Sequence, residues 1–263
     1  MNPDLRALAD EYWEYTLESQ PTNAHMLGDY RYMDRMEDVS RAGEDADIAQ
    51  QRSFAARAEA FDPETLDPAD RITRDTLIYE AGTSAGVSEM RPAQFAISPI
   101  FAPHVVFPLP IPHISFHTPE HAERMLDKYS AIAQTLDQGT ERLREGIAAG
   151  RVNAKFAVAS TVSQIDDLLD TPVEDDVFLK AQMPSAYSDE DAAAWREGAA
   201  KIVEDEIRPA FVCWPSARPS RPKASKRPSM PAFACWGKTT FRRPAKRLLR
   251  MPQPADCPTM ESD

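Results

Sequence analysis

Thr118, Pro119 and Glu120 open a stretch in which Ala122, Met125, Leu126, Tyr129, Ile132, Ala133, Leu136, Thr140, Leu143 and Ile147 recur at helical spacing, until Gly150 stops the pattern. Threonine caps a helix, proline suits its first position, and a carboxylate there meets the positive end of the helix dipole. Glycine just past the last periodic residue ends it. The stripe persists for about seven turns. A helix this long and this one-sided must bury its apolar face against other long elements.

The rest of the chain supplies them. From about Pro3 to Glu18, Leu5, Leu8, Ala9, Tyr12, Trp13 and Thr16 follow the spacing of one buried face, and Gln20-Pro21 ends that helix. "TNAHMLGD" reads as a short helix stopped at Gly28, and "YRYMDRMEDVS" as a connector whose Ser40 caps an Ala-rich helix reaching Phe61. "LDPADRITRDTLIYE" has Asp67 as cap, Pro68 at the first helical position and Asp70 in the first turn. After Gly150, Asn153 is placed to cap a helix with the stripe Val158, Val162, Ile165 and Leu169. "DTPVEDDVFLK" is a polar break, and Ser188 begins a last helix carrying Ala192, Trp195, Ala199, Ile202, Val203 and Ile207 on one side.

Between these helices, residues from about 83 to 117 lose helical periodicity, and prolines at 92, 99, 103, 108, 110 and 112 interrupt them. No segment of the body shows strand alternation. The expectation is an all-α fold of long antiparallel helices with a Pro-rich irregular crossing at about 83–117. A loop of that length inside a compact domain is usually functional or anchored by a larger partner structure.

At Val212 the composition changes. Residues 212–263 carry 11 Lys and Arg against 3 Asp and Glu, and 9 of the 23 prolines, whereas residues 1–211 carry 19 against 39. The tail also contains every cysteine, at 213, 235 and 257. Its prolines forbid a regular helix and it shows no core pattern, so it is expected to be irregular or disordered. The acidic body argues against nonspecific nucleic-acid binding. The N-terminus lacks a basic region leading into an apolar run, and prolines break the most apolar segment, "IFAPHVVFPLPIPHISF", so neither a signal peptide nor a membrane span is expected. The default location is the cytoplasm.

Candidate chemistry is sparse. His113, His117 and His121 stand at i, i+4 and i+8, but Pro112 and Pro119 prevent a shared helical face, so they read as two loop histidines and one first-turn histidine. Asp166, Asp167, Asp170, Glu174, Asp175 and Asp176 read as a solvated helix end and turn. Tyr12, Trp13, Tyr15, Tyr30 and Tyr32 could line a ligand cleft, although Tyr12 and Trp13 fit a core more simply. The cysteines lack paired spacing for zinc, and no HExxH, GxSxG, P-loop or dinucleotide glycine pattern occurs.

The segments "ALADEYWEYTLESQPTNAHMLGDYRYMDRMEDVS", "LDPADRITRDTLIYE", "APHVVFPLPIPHISFHTPEHAERMLDKY", "LREGIAAGRV" and "TPVEDD" together resemble the N-terminal part of a bacterial family, the domain of unknown function numbered eight-eight-five. The resemblance covers about residues 5–211. It implies an all-helical protein of roughly twice this length, similar to zinc oligopeptidases and carboxypeptidases, acting on peptides and holding zinc at a His-Glu and Pro-Gly-His motif in its C-terminal half. No position here matches that motif, so no catalytic, cofactor-binding or metal-ligating residue is assigned in this chain.

The expectation is therefore that residues 1–211 form the N-terminal helical part of a larger metallopeptidase-like domain, inactive alone, with exposed apolar faces that favour oligomerisation or aggregation. Residues 212–263 read as a frame-shifted or disordered tail. The competing reading is a helical binding module whose basic, Pro-rich tail recruits acidic or polyproline-reading partners.

Overall fold

A computed structural model describes residues 2–214, which lie within one contact unit, Met1–Ser220. The expectations for the basic tail beyond Trp214, its irregularity and its two later cysteines among them, fall outside the described residues. Among the described residues nine α-helices follow in order: α1 (Pro3–Ser19), α2 (Pro21–Met26), α3 (Arg41–Glu59), α4 (Pro68–Glu89), α5 (Pro103–Val106), α6 (Pro119–Ala148), α7 (Lys155–Asp170), α8 (Asp189–Ile202) and α9 (Arg208–Cys213). Among the described residues there is no strand, only an isolated bridge between Ser115 and Gln182. The fold is all-α, as the periodicities require.

Local capping chemistry sets most helix starts. Asp67 accepts from the Asp70 amide at 2.8 Å, Thr118 from His121, and Ser188 forms a reciprocal capping box with Asp191. Ser40 accepts from Gly43 at 3.0 Å. The start of α7 differs from the sequence reading: Ala154 occupies its cap position without a side-chain bond, and Asn153 Oδ1 instead accepts from the Ile97 amide at 3.3 Å. Asn153 thus tethers the crossing to α7.

Two apolar cores result. In the first, Leu5 and Leu8 of α1 meet Phe54 of α3 and Leu77 of α4. Tyr12 and Tyr15 pack against this core whereas Trp13 is 52% exposed, so the α1 stripe is shifted from the sequence expectation. Helices α3 and α4 run antiparallel, with Arg74 donating to the Phe61 carbonyl near one end and Arg52 to Glu89 near the other.

Helix α4 extends to Glu89, six residues beyond the expected start of the irregular crossing. Its second half lacks a large-residue stripe because Ala81 and Ala85, both fully buried, supply the contact face. Small side chains of this kind allow close helix approach without leaving a strong periodic signal. The crossing proper is a series of short turns, at Pro92–Phe95, Pro103–Val106 and Ile111–His113.

The second core surrounds α6. Tyr129 is buried beneath Trp195 of α8 and Phe178, and its hydroxyl donates to the Phe178 carbonyl at 2.7 Å. Trp195 donates to the Ala122 carbonyl at 2.7 Å. The expected polar break at 171–180 is two tight turns that place Phe178 and Leu179 in this core. Ile147 and Val162, assigned to buried stripes, are exposed, and Gly146 and Thr161 take the buried positions instead. After α8 the chain makes one π-helical turn, Val203–Ile207, and continues as α9, so that Phe211 and Trp214 are both buried. Packing therefore runs through the point where the composition changes.

Candidate functional site

The connector after α2 lies along α6 in the same direction. Arg124 donates to the Tyr30 and Arg31 carbonyls, Lys128 to the Arg35 carbonyl, and Gln138 accepts from the Val39 amide. Gly28, at φ +85°, supplies the left-handed turn that ends α2. Asp29 then accepts from the Arg31 amide and starts the tight turn Tyr30–Tyr32. Opposite the connector, the Pro-rich crossing folds over the same face of α6. The space enclosed is a pocket of about 780 Å³, of the size that small-molecule sites occupy.

Its walls are mainly apolar, with Met125 and Ile132 from α6, Met26 from α2, and Phe107, Leu109 and Ile111 from the crossing. The polar lining is concentrated in Thr22, His25, Tyr30, His113, His117 and Lys128. Among the described residues no aspartate or glutamate lines the pocket.

Tyr30 organises the imidazoles. Its hydroxyl is 2.8 Å from His117 Nε2, its ring stacks on His121 at 4.6 Å, and His25 meets its edge at 5.4 Å. His117 immediately precedes the Thr118 cap and His121 lies in the first turn of α6, which places the two rings 6.2 Å apart. The sequence reading, that these histidines share no continuous helix face, holds; what it misses is that a tyrosine 87 residues away gathers them. His113 lines the pocket from its own turn.

Burial sets the charge states. It lowers the pKa of His25 to about 4, assisted by the nearby charges of Lys128 and His121. It also lowers His121, with His117 adding to the effect, and His121 Nδ1 is buried without a hydrogen-bond partner. Lys128, only 5% exposed, is lowered to about 8 by burial while Glu37 and Asp34 act against the shift. At neutral pH the pocket thus holds a neutral His25 and a charged Lys128.

The other candidates separate. Tyr12 and Tyr15 pack on Phe54 in the first core, Trp13 faces solvent, and Tyr32 carries Arg31 and Arg35 over its ring. Of the acidic group, Asp176 is buried in an ion pair with Arg208 at 2.8 Å, while the other five are exposed. Lys128 and His25 received no sequence assignment. Lys128 did leave a trace, because it falls between Met125 and Ile132 in the apolar register of α6.

Zinc requires three or four N, O or S donors converging on one point. Among the described residues no group of three or more His, Cys, Asp or Glu is so arranged. His117 Nε2 is engaged by Tyr30 and His121 stacks on the same ring. The imidazoles here do not fit that ion.

The sequence matches the model of a family described as "Bacterial protein of unknown function (DUF885)" over residues 21–217. Among solved structures, the fold is similar to that of a "putative lipoprotein from Colwellia psychrerythraea", with a TM-score of 0.67 and 14% sequence identity. The match covers 81% of this chain and 40% of that one, so this chain spans about two-fifths of the length of that structure. At such identity the likeness is one of fold. No curated protein matches the sequence. No helix among the described residues is long and apolar enough to cross a membrane.

Proposed function

The chain belongs to the bacterial family of unknown function DUF885, and from that premise we propose that it forms the N-terminal helical part of a metallopeptidase-like hydrolase, with the pocket over α6 as part of the wall of its substrate cleft. The observation that carries this reading is the pocket itself. It is apolar, of ligand size, and built from three separate segments around one long helix. A cleft wall supplies shape and a few polar contacts to a substrate.

In this reading the described residues bind and position. Zinc, which the family resemblance implies, would supply polarisation of a carbonyl and activation of water. The imidazoles beside Tyr30 do not fit it, and no step is assigned to them. The extent of the match to the Colwellia psychrerythraea structure, two-fifths of its length, is in keeping with a part of a larger hydrolase. The family match ends at residue 217, close to the change of composition at Val212. We read the residues beyond the family match, 218–263, as the product of a shifted frame. Another frame of the same DNA should then encode amphipathic helices from about codon 218 onward, and frames interrupted there would reject this part of the reading.

Calorimetric titration tests the pocket. N-acetyl-leucinamide and N-acetyl-phenylalaninamide, as uncharged stand-ins for an apolar peptide residue, are expected to bind the purified chain weakly. Leu109 is an exposed residue at the pocket's edge. Leu109→Arg should weaken binding while leaving the fold intact. Absence of binding at millimolar ligand would overturn the assignment.

A further inference from the structure

We infer that the pocket takes an apolar ligand bearing a single negative charge, and that Lys128 is the residue that meets it. The inference rests on the reading of the pocket as a binding cleft and deepens it by naming the ligand's chemistry.

Charge is the first argument. The lining contains one lysine and three histidines, and no carboxylate. A negative group entering this space meets no like charge on the wall, whereas a positive one meets a buried ammonium.

The state of that ammonium is the second. Lys128 Nζ donates to Thr22 Oγ1 at 3.1 Å and to the Arg35 carbonyl at 2.6 Å, both neutral acceptors. An ammonium has three donors, so one remains for a ligand. Among the described residues no carboxylate is paired with Lys128, whose hydrogen bonds go to Thr22 and the Arg35 carbonyl. The two acids nearby are committed elsewhere: Glu37 accepts from the Thr22 amide and hydroxyl, and Asp34 pairs with Arg124 at 2.5 Å. Glu37 and Asp34 attract the ammonium from a distance, but burial outweighs them; an anion arriving with the ligand at contact distance would offset that remaining cost. Apolar walls that exclude water strengthen the attraction.

The third argument selects the anion. Phosphate and other polyanions call for forked guanidinium groups or several cations. The pocket offers one lysine and, in His25, an imidazole that is neutral at pH 7. That set suits a monocarboxylate. An aliphatic acid and a peptide ending in an apolar residue share this chemistry, with the chain among Met125, Phe107 and Ile132 and the carboxylate at Lys128.

Titration of the full chain with octanoate against octanamide, and with N-acetyl-leucyl-leucine against its carboxamide, tests the assignment. Each acid is expected to bind at least about tenfold more tightly than its amide, the scale of one charge-assisted hydrogen bond. Lys128→Met should remove the acid–amide difference. A preference confined to octanoate identifies a free acid as the ligand, and one confined to the dipeptide identifies a peptide carboxyl terminus. Equal affinity of acid and amide would overturn the role of Lys128 while leaving the pocket as a binding site. Binding of none of the four compounds would remove both. The acid–amide comparison on the unaltered chain decides the question even if Lys128→Met does not fold.

Discussion

Tyr30 and His117, 87 residues apart, are joined by a 2.8 Å hydrogen bond between the phenol oxygen and Nε2. The bond ties the connector after α2 to the residue just before α6, where the pocket closes. Tyr30→Phe keeps the stack on His121 and removes only this bond. Because the pair is exposed, the expected loss in urea denaturation is modest, about 0.5–1 kcal/mol. A loss several times larger would mean that Tyr30 holds the connector by more than this contact.

Glycines on two helices should respond in opposite directions. A Cβ at Gly146 would collide with the backbone carbonyl oxygen of Gln94, whereas Gly82 and Gly86 on α4 have nothing within 4 Å. Gly82→Ala and Gly86→Ala should each stabilise by up to about 1 kcal/mol through helix propensity. Gly146→Ala should cost about 2 kcal/mol despite the same gain, because backbone must move to admit it. Thermal melts of the three variants distinguish these outcomes.

Asp176 and Arg208 form a largely buried ion pair, and Asp176 also accepts from the Phe178 amide. Asp176→Asn can retain the amide bond but leaves the guanidinium without its counter-charge. The expected destabilisation is about 3 kcal/mol. Its exposed neighbour serves as control: Asp175→Asn should stay within about 0.5 kcal/mol of the parent. Equal effects from the two substitutions would show that the pair contributes nothing specific.

Acid should destabilise the fold through His25. Its folded pKa, about 4, lies below the ordinary 6.5. The unfolded chain therefore binds a proton first as pH falls, and the stability present above 6.5 is lost progressively towards 4, by on the order of 3 kcal/mol. The charges facing His25 are Lys128 and His121. His25→Leu should flatten this limb of the stability–pH curve, and an unchanged slope would count against burial as the cause.

Alkali should act in the opposite sense on Lys128, whose pKa is about 8 when folded against an ordinary 10.5. Between those values the unfolded chain holds more protons, so stability rises with pH across that window. Asp34 and Glu37 face the ammonium and temper the effect. Lys128→Met should abolish the rise, as measured by denaturation at pH 7.5 and 10.

The helix starts at Asp67, Thr118 and Ser188 were legible because a cap acts within three residues of itself. The extension of α4 to Glu89 was not, since its evidence is the close fit of Ala81 and Ala85 against the neighbouring helix rather than a stripe of large residues. Trp13 was misplaced for a related reason. Local spacing permits either Trp13 or Tyr15 to complete the inward face with Leu8 and Tyr12, and the position of Phe54 on α3 selects Tyr15. At the site, Tyr30 and the three histidines were visible as residue types, but nothing in their spacing shows that they share one space.

Local sequence settled the all-α class, the long helices and most of their caps, because those depend on contacts within one or two turns of chain. The tertiary structure alone decided that α2, the connector and the Pro-rich crossing meet over α6 and enclose a pocket with a buried lysine. That meeting joins residues far apart in the chain, such as Lys128 with Thr22, 106 positions away, and Arg124 with Tyr30, 94 positions away. Local periodicity carries no record of such pairs, since each segment satisfies its own backbone before it finds its partner.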